Sequence, residues 1–221
     1  METFLKTSLP FWGELTDGER RLLLDTLQLH TYEKGTILYH GSGECTGVQM
    51  ILHGRARVYI NSKDGKEITL YRLLDGDVCM MSAACMIKSL SFSISFETET
   101  DSEIAVIPRH VYEKLNSENM FVKNFTLEMV ASKFSDVMWL LEQLVFSNMG
   151  QRLAGALLEQ RALCGSTTLN VTHEQIATDL GTAREVVTRL LKQFQTEELV
   201  SLSRGKIHLT NEAALRALAE T

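Results

Sequence analysis

The chain has 221 residues, 44% of them hydrophobic and 23% charged, which suffices for a buried core and excludes wholesale disorder; at ~150 residues per domain it makes one large or two small domains. Its 22 basic and 28 acidic residues give a net charge of −6, which taken alone argues against a nucleic-acid binder. No run approaches the ~18 apolar residues of a membrane span, Met1-Glu2-Thr3-Phe4-Leu5-Lys6 does not open like a secretory signal, and four cysteines are too few for a disulfide scaffold, so a reducing, cytoplasmic setting and no membrane partner are expected.

The charge is unevenly spread. Residues 150–221 carry eight basic and eight acidic groups, whereas residues 1–149 carry 14 and 20. A DNA-binding end is therefore compatible with the acidic total.

Residues 1–30 predict one short amphipathic helix, with Thr16 as cap, Glu19 three residues on, and Leu22, Leu23 and Leu27 at helical spacing. From 31 to 107 the texture is that of strands. Arg55-Ala56-Arg57-Val58-Tyr59-Ile60 and Ser91-Phe92-Ser93-Ile94-Ser95-Phe96 alternate, and Ile104 and Val106 share a third alternating run. Gly35, Gly41-Ser42-Gly43, His53-Gly54, Asn61 to Gly65 and Asp75-Gly76-Asp77 punctuate them, as in an antiparallel sandwich or barrel.

After Pro108 the period lengthens. Leu127, Val130, Phe134, Val137, Leu141 and Leu144 are spaced 3, 4, 3, 4, 3, the seam of one long helix from about Glu118 to Ser147. A second stripe of Phe121, Phe125, Met138 and Val145 flanks it. A helix apolar on two sides needs two partners. Its own β-domain and a second copy of the chain form one such pair; a single wide core-facing helix in a monomer is the other reading. Asn148-Met149-Gly150 breaks the pattern, and residues 150–221 read helix, helix, helix, hairpin, helix. The expected divisions are 1–117, 118–147 and 148–221.

The stretch Val171 to Leu191 carries the sharpest signal. Thr172 with Gln175, and Thr182 with Glu185, each match a capping box, so two helix starts lie ten residues apart. Ala177 is small where two crossing helices approach, and Gly181 tolerates the positive φ of a tight turn. Ile176, Leu180, Val187 and Leu190 supply the buried contacts. This is the arithmetic of a helix-turn-helix. Its second helix would expose Arg184, Glu185, Thr188, Arg189 and Lys192 to the major groove, where arginine reads guanine and glutamate reads cytosine. Residues 199–210 alternate around Arg204-Gly205-Lys206, a hairpin wing with a basic tip for phosphate. Thr172 and Thr182, at the two helix starts, complete the candidate DNA-contacting set. The bland alternative for the charged residues is a solvated helix face.

In order, Glu33-Lys34-Gly35, Gly41, Leu52-His53-Gly54, Asp64-Gly65-Lys66-Glu67, Gly76-Asp77, the heptad helix, and Arg184-Glu185 with Arg189 resemble the catabolite activator / fumarate-nitrate regulator (CRP/FNR) family of bacterial transcription factors over nearly the whole chain. The resemblance implies an α+β fold: an N-terminal antiparallel β-roll of the cyclic-nucleotide-binding kind, a long dimerisation helix and a C-terminal winged helix-turn-helix. It implies a homodimer on a double-stranded operator with inverted half-sites, under a small effector, and allows RNA polymerase as a further partner. By the same resemblance Glu185 and Arg189 match the core base readers, and Arg184 a reader or phosphate contact. Thr188 stands where the fumarate-nitrate branch has a hydroxyl residue. A TGA half-site core follows, leaning to the TTGAT type.

The cyclic-nucleotide members carry a Gly-Glu pair shortly after Gly-Asp and then an Arg-Ser pair that holds the phosphate. Here Gly76-Asp77-Val78-Cys79 runs into Met80-Met81, Leu90-Ser91 replaces Arg-Ser, and no arginine lies between Asp77 and Arg109. A buried phosphate without a bidentate partner is costly, so cyclic AMP is not the expected effector. An iron–sulfur cluster of the fumarate-nitrate type is not expected either, because the first cysteine is Cys45. Three readings of Cys79, Met80, Met81, Ser82 and Cys85, with Phe134 from the long helix, stand side by side: a packed short helix, a pocket for an apolar or aromatic ligand, and a thiol switch or soft-metal or haem site. The histidines show no metal spacing.

Two rival functions lack their sequence marks. A β-roll enzyme similar to cupins needs a His-x-His pair, and the chain has none, nor a phosphate loop, a Gly-x-Ser-x-Gly elbow or a Cys-x-x-Cys. A protein-binding sensor module would show an apolar patch where Arg184, Glu185, Thr188, Arg189 and Lys192 fall.

Overall fold

The computed structural model describes residues 1–41, 47–63, 65–79 and 94–220. They form two compact units: Met1–Ile60 with Leu70–Val137, and Asn61–Thr69 with Met138–Thr221.

The first unit opens with two helices, not one. α1 (Glu2–Ser8) and α2 (Asp17–Thr26) flank a 3₁₀ turn over Pro10–Glu14. Proline explains the break: it forces Leu9 into an extended conformation (φ −116°, ψ 94°), which ends α1. The turn buries Phe11 and Trp12 beside Leu5, Leu9 and Leu23. The Thr16 capping box forms, with the Glu19 carboxylate accepting from the Thr16 N–H at 2.7 Å.

Among the described residues eight strands follow: β1 (Gln28–Tyr32), β2 (Ile37–Gly41), β3 (Val48–His53), β4 (Ala56–Asn61), β5 (Glu67–Leu73), β6 (Val78–Cys79), β7 (Ile94–Thr98) and β8 (Ser102–Ile107). They make two four-stranded sheets, ordered β1-β8-β3-β6 and β2-β7-β4-β5. The central strands β3 and β8 of the first sheet are buried on both faces, whereas its edge strand β1 is exposed. Ile51, Ile104 and Val106 enter one core with Val58, Ile94 and Phe96 of the second sheet. The alternate residues Val48, Met50, Ala105 and Ile107 enter another core against the N-terminal helices. Successive strand side chains point to opposite faces, so double burial makes β8 apolar at every step from 104 to 107. The second sheet carries its charges in pairs: Arg57 on β4 meets its cross-strand partner Glu97 at 2.7 Å, and Arg55 and Arg72 share the Glu99 carboxylate at 2.7 and 3.0 Å. Gly54 has φ 106°, and a side chain there would run into Ser102, so the β3–β4 turn requires glycine.

α3 (Arg109–Glu118) and α4 (Met120–Phe146) follow, restarted at Asn119, whose side-chain oxygen accepts from the Phe121 N–H at 3.0 Å. On α4 the stripe facing the β-domain is Val122, Phe125, Thr126 and Met129. Of the second stripe read from sequence only Phe125 belongs to it; Phe121, Met138 and Val145 are exposed. Heptad counting missed Thr126 because its polarity hid it. Its hydroxyl lies 2.8 Å from that of Tyr112 and is buried with it.

The second unit holds α5 (Met149–Cys164), β9 (Thr168–Leu169), α6 (His173–Leu180), α7 (Arg184–Thr196), β10 (Val200–Ser203), β11 (Lys206–Leu209) and α8 (Glu212–Glu220). Asn148 does more than break a pattern. It caps α5 in a box with Gln151, the Asn148 N–H donating to the Gln151 side-chain oxygen at 2.6 Å. β9 pairs with β11, so the hairpin is part of a three-stranded sheet.

Candidate nucleic-acid interface

α6 begins at a complete capping box. The Thr172 hydroxyl accepts from the Gln175 N–H at 3.1 Å, and the Gln175 side chain accepts from the Thr172 N–H at 2.9 Å. After the eight residues of α6, Gly181 takes the left-handed conformation (φ 64°, ψ 35°). The Thr182 N–H closes the turn on the Ala177 carbonyl at 2.9 Å, and Arg152 from α5 donates to the Leu180 carbonyl at 2.7 Å. Gly181 answers a second demand as well. Ile68 belongs to the same compact unit, and a Cβ on Gly181 would stand 2.5 Å from its Cγ1. Thr69 beside it donates to the Asp179 carboxylate at 2.9 Å. Ile176, Ala177 and Val187 are buried between the helices, and Leu180 and Leu190 pack partly against them. Leu191 and Phe194 join this core and were not singled out from sequence.

One expected cap does not form. The residue before α7 is Ala183, not Thr182, and no side chain caps the helix. The cause is the turn: the Thr182 N–H is drawn back to Ala177, so α7 starts one residue later. Glu185 then sits one place too early to complete a box. Among the described residues it makes no side-chain hydrogen bond or ion pair, and it stands exposed with Arg184, Arg189 and Lys192.

Thr188 is half-buried, and its hydroxyl lies 2.9 Å from Nδ1 of His173, the first residue of α6. Burial, and then the nearby Arg184 guanidinium, hold His173 below the usual histidine range. The wing turns at Gly205 (φ 72°), with Arg204 and Lys206 exposed on either side. Thr172, His173, Arg184, Arg204 and Lys206 line a cavity of about 660 Å³. Three cations thus collect on one concave face, with Glu174 beside them, although residues 150–221 as a whole carry eight basic and eight acidic groups. Sequence reading found every residue of this set except His173, whose adjacency to Thr172 carried no signal.

Of the residues read as an effector pocket, Cys79 and Phe134 are among those described. Cys79 is 1% exposed and belongs to the core between the sheets. Phe134 is 65% exposed on α4. Met80, Met81, Ser82 and Cys85 lie outside the described residues. Sequence reading missed Tyr71 on β5, whose buried hydroxyl makes no hydrogen bond among the described residues while Lys133 Nζ sits 4.5 Å over its ring. Burial raises the Tyr71 pKa well above the usual phenol value, and the Cys79 and Asp136 charges add to it. Among the described residues no three His, Cys, Asp or Glu side chains are placed to hold a metal, and no helix is long and apolar enough to cross a membrane.

Along the α4 seam Leu127, Phe134, Leu141 and Leu144 are 60%, 65%, 48% and 36% exposed, and Val130 and Val137 are half-buried. Trp139 and Phe146 are exposed as well.

A helix-turn-helix with a basic wing, carried behind an antiparallel β-domain and a long helix, defines a DNA-binding transcription regulator. Residues 151–218 match the Crp-like helix-turn-helix domain, and residues 29–119 match the cyclic nucleotide-binding domain. A crystal structure of a transcriptional regulator of the crp/fnr family from Eubacterium rectale is 41% identical, covers 97% of this chain and 99% of its own, and superposes with a TM-score of 0.93. The cyclic AMP receptor protein of Thermus thermophilus is 23% identical over 95% of this chain and 96% of its own. The global nitrogen regulator of Synechococcus elongatus is 25% identical over 86% and 88%. The chain belongs to the CRP/FNR family of transcription regulators, and it is not an enzyme of the cupin kind.

Proposed function

We propose that the chain works as a homodimer that reads inverted half-sites with a TGA core, under a small effector or redox signal other than cyclic AMP. The observation that carries the reading is the exposed, uncommitted set Arg184, Glu185 and Arg189 on α7, beside the wing cations Arg204 and Lys206. A guanidinium can make two hydrogen bonds to guanine, and a free carboxylate can accept from cytosine N4. Lys192, Arg204 and Lys206 serve phosphate, with Thr172 at the start of α6 and Thr182 in the turn before α7 placed beside the backbone. The seam Leu127, Val130, Phe134, Val137, Leu141 and Leu144 supports a twofold partner, because exposed apolar side chains at heptad spacing gain most by burial against copies of themselves. RNA polymerase is a further partner of the operator-bound form.

Several family relatives are named for cyclic AMP. Against the same ligand here stands the sequence from Asp77 to Arg109, which offers Lys88 as its single cation between those residues and no arginine. The effector acts by population shift: it must bind better to the form whose two α7 helices match successive grooves. Selection from random duplexes with the full chain tests the operator. An inverted repeat with TGA cores is expected, and a recovered pool without twofold symmetry refutes the homodimeric reading. Calorimetry with cyclic AMP should show no heat of specific binding; saturable micromolar binding refutes that part. Native mass spectrometry with a thiol count identifies what the dimer retains.

A further inference from the structure

His173 stands directly after the Thr172 cap, and its ring reaches from α6 to the second turn of α7, where Nδ1 lies 2.9 Å from the Thr188 hydroxyl. The neighbouring Thr172 hydroxyl is committed to its own helix start, accepting from the Gln175 N–H and donating to the Gln175 side chain at 3.0 Å. His173 therefore differs in kind from its neighbour: its contact leaves its own helix and lands on the helix that faces DNA. The ring and Arg184 line the same cavity as the wing cations.

A threonine hydroxyl has one proton and two lone pairs. Where Nδ1 bears the lone pair, Thr188 donates its proton to the ring. A base then meets lone pairs and a methyl group, which suit adenine N6, cytosine N4 or the thymine methyl. Where Nδ1 bears hydrogen, the threonine proton is free for guanine O6 or thymine O4. In the first case the contact takes the hydroxyl proton from the carbonyl one turn back, its usual partner in a helix. Exchange of the ring for a group without this contact changes what α7 presents at that point and leaves Arg184, Glu185 and Arg189 in place.

We propose that His173 is a positioning residue for base readout, setting through Thr188 the donor or acceptor character, and so the base preference, at one position of each half-site. The inference rests on the reading of α7 as the groove helix.

The test uses the full chain and a fluorescein-labelled duplex carrying the inverted repeat recovered by selection, with each base pair changed in turn. Anisotropy titrations are made for T188V, H173A, H173N and the H173A/T188V pair. T188V and H173A should lose roughly two- to tenfold in preference at the same base pair, the range of a single hydrogen bond. The double variant should lose no more than T188V alone, and H173N, with a polar atom near the place of Nδ1, should recover part of the loss. Equal weakening on every duplex in H173A, a shift at a different base pair, or a further loss in the double variant overturns the proposal. R189A and E185A separate the two levels. If neither alters any base preference, the groove reading of α7 fails and takes this inference with it. If both do while H173A does not, only the role of His173 falls.

Discussion

Phe134 offers a direct test of the twofold seam. Its side chain is 65% exposed, so replacing it leaves no cavity inside the protomer and the fold should persist. Full burial of a phenylalanine contributes about 1.5–3 kcal/mol, so covering the exposed two-thirds is worth about 1–2 kcal/mol per chain and about 2–4 kcal/mol per pair. Phe134→Ala should then raise the dimer dissociation constant by roughly 30- to 1,000-fold, since each 1.4 kcal/mol is a factor of ten. Phe134→Asp should raise it further, because a seam residue meets its own copy near the twofold axis and two carboxylates would be buried together. Sedimentation velocity over a range of protein concentrations reads the association. Anisotropy on the selected duplex should weaken in parallel, while far-ultraviolet dichroism stays unchanged. Wild-type sedimentation of Phe134→Asp at low concentration refutes the seam.

Gly181→Ala should destabilise the C-terminal unit by about 1–2 kcal/mol from the left-handed backbone alone, with extra cost from Ile68 that Ile68→Ala relieves. A melting temperature within error of wild type refutes that account. Arg189→Ala should remove about 1–3 kcal/mol of discrimination at one base position; unchanged operator selectivity in a competition assay removes it as a reader. The Tyr112 phenol is pushed up to about 12 by burial, against the lowering effect of its Thr126 hydrogen bond. Folding therefore favours its neutral form, and its contribution is complete below the ordinary phenol value near 10 and drains away as pH rises from there to about 12, by roughly 2–3 kcal/mol in all. Tyr112→Phe should lose about 1 kcal/mol at neutral pH, yet show a flatter alkaline denaturation profile; equal slopes refute the burial argument.

The helix-turn-helix was legible because its constraints are local. A cap, a small residue, a glycine and apolar spacing each act within a few residues, and from Thr172 to Leu190 they agree. The error fell where a local rule met a competing bond: Thr182 has the right side chain for a cap, but its backbone N–H closes the turn instead. Residue pattern alone gives one N-terminal helix where there are two, because it takes no account of Pro10, which ends α1. In the β-domain the alternation rule undercounts the core, since it assumes one solvated face and β8 has none from Ile104 to Ile107. Contacts distant in sequence left no trace: nothing about Thr126 points to Tyr112 14 residues back, nor about His173 to Thr188 15 residues on. On the long helix the seam residues were picked out by period alone, whereas the β-facing stripe was not, because packing against an irregular domain obeys no heptad.

The three cations of the concave face belong to a chain whose residues 1–149 carry six more acids than bases. A net charge of −6 gives the chain little long-range attraction to bulk chromosome, so its phosphate contacts act at short range. Time lost on irrelevant sequence is short, and loss of affinity with rising ionic strength should be shallow compared with strongly basic regulators. Occupancy of a promoter is then governed by the quality of the match and by the signal, so a small cellular stock of the molecule can remain largely unsequestered.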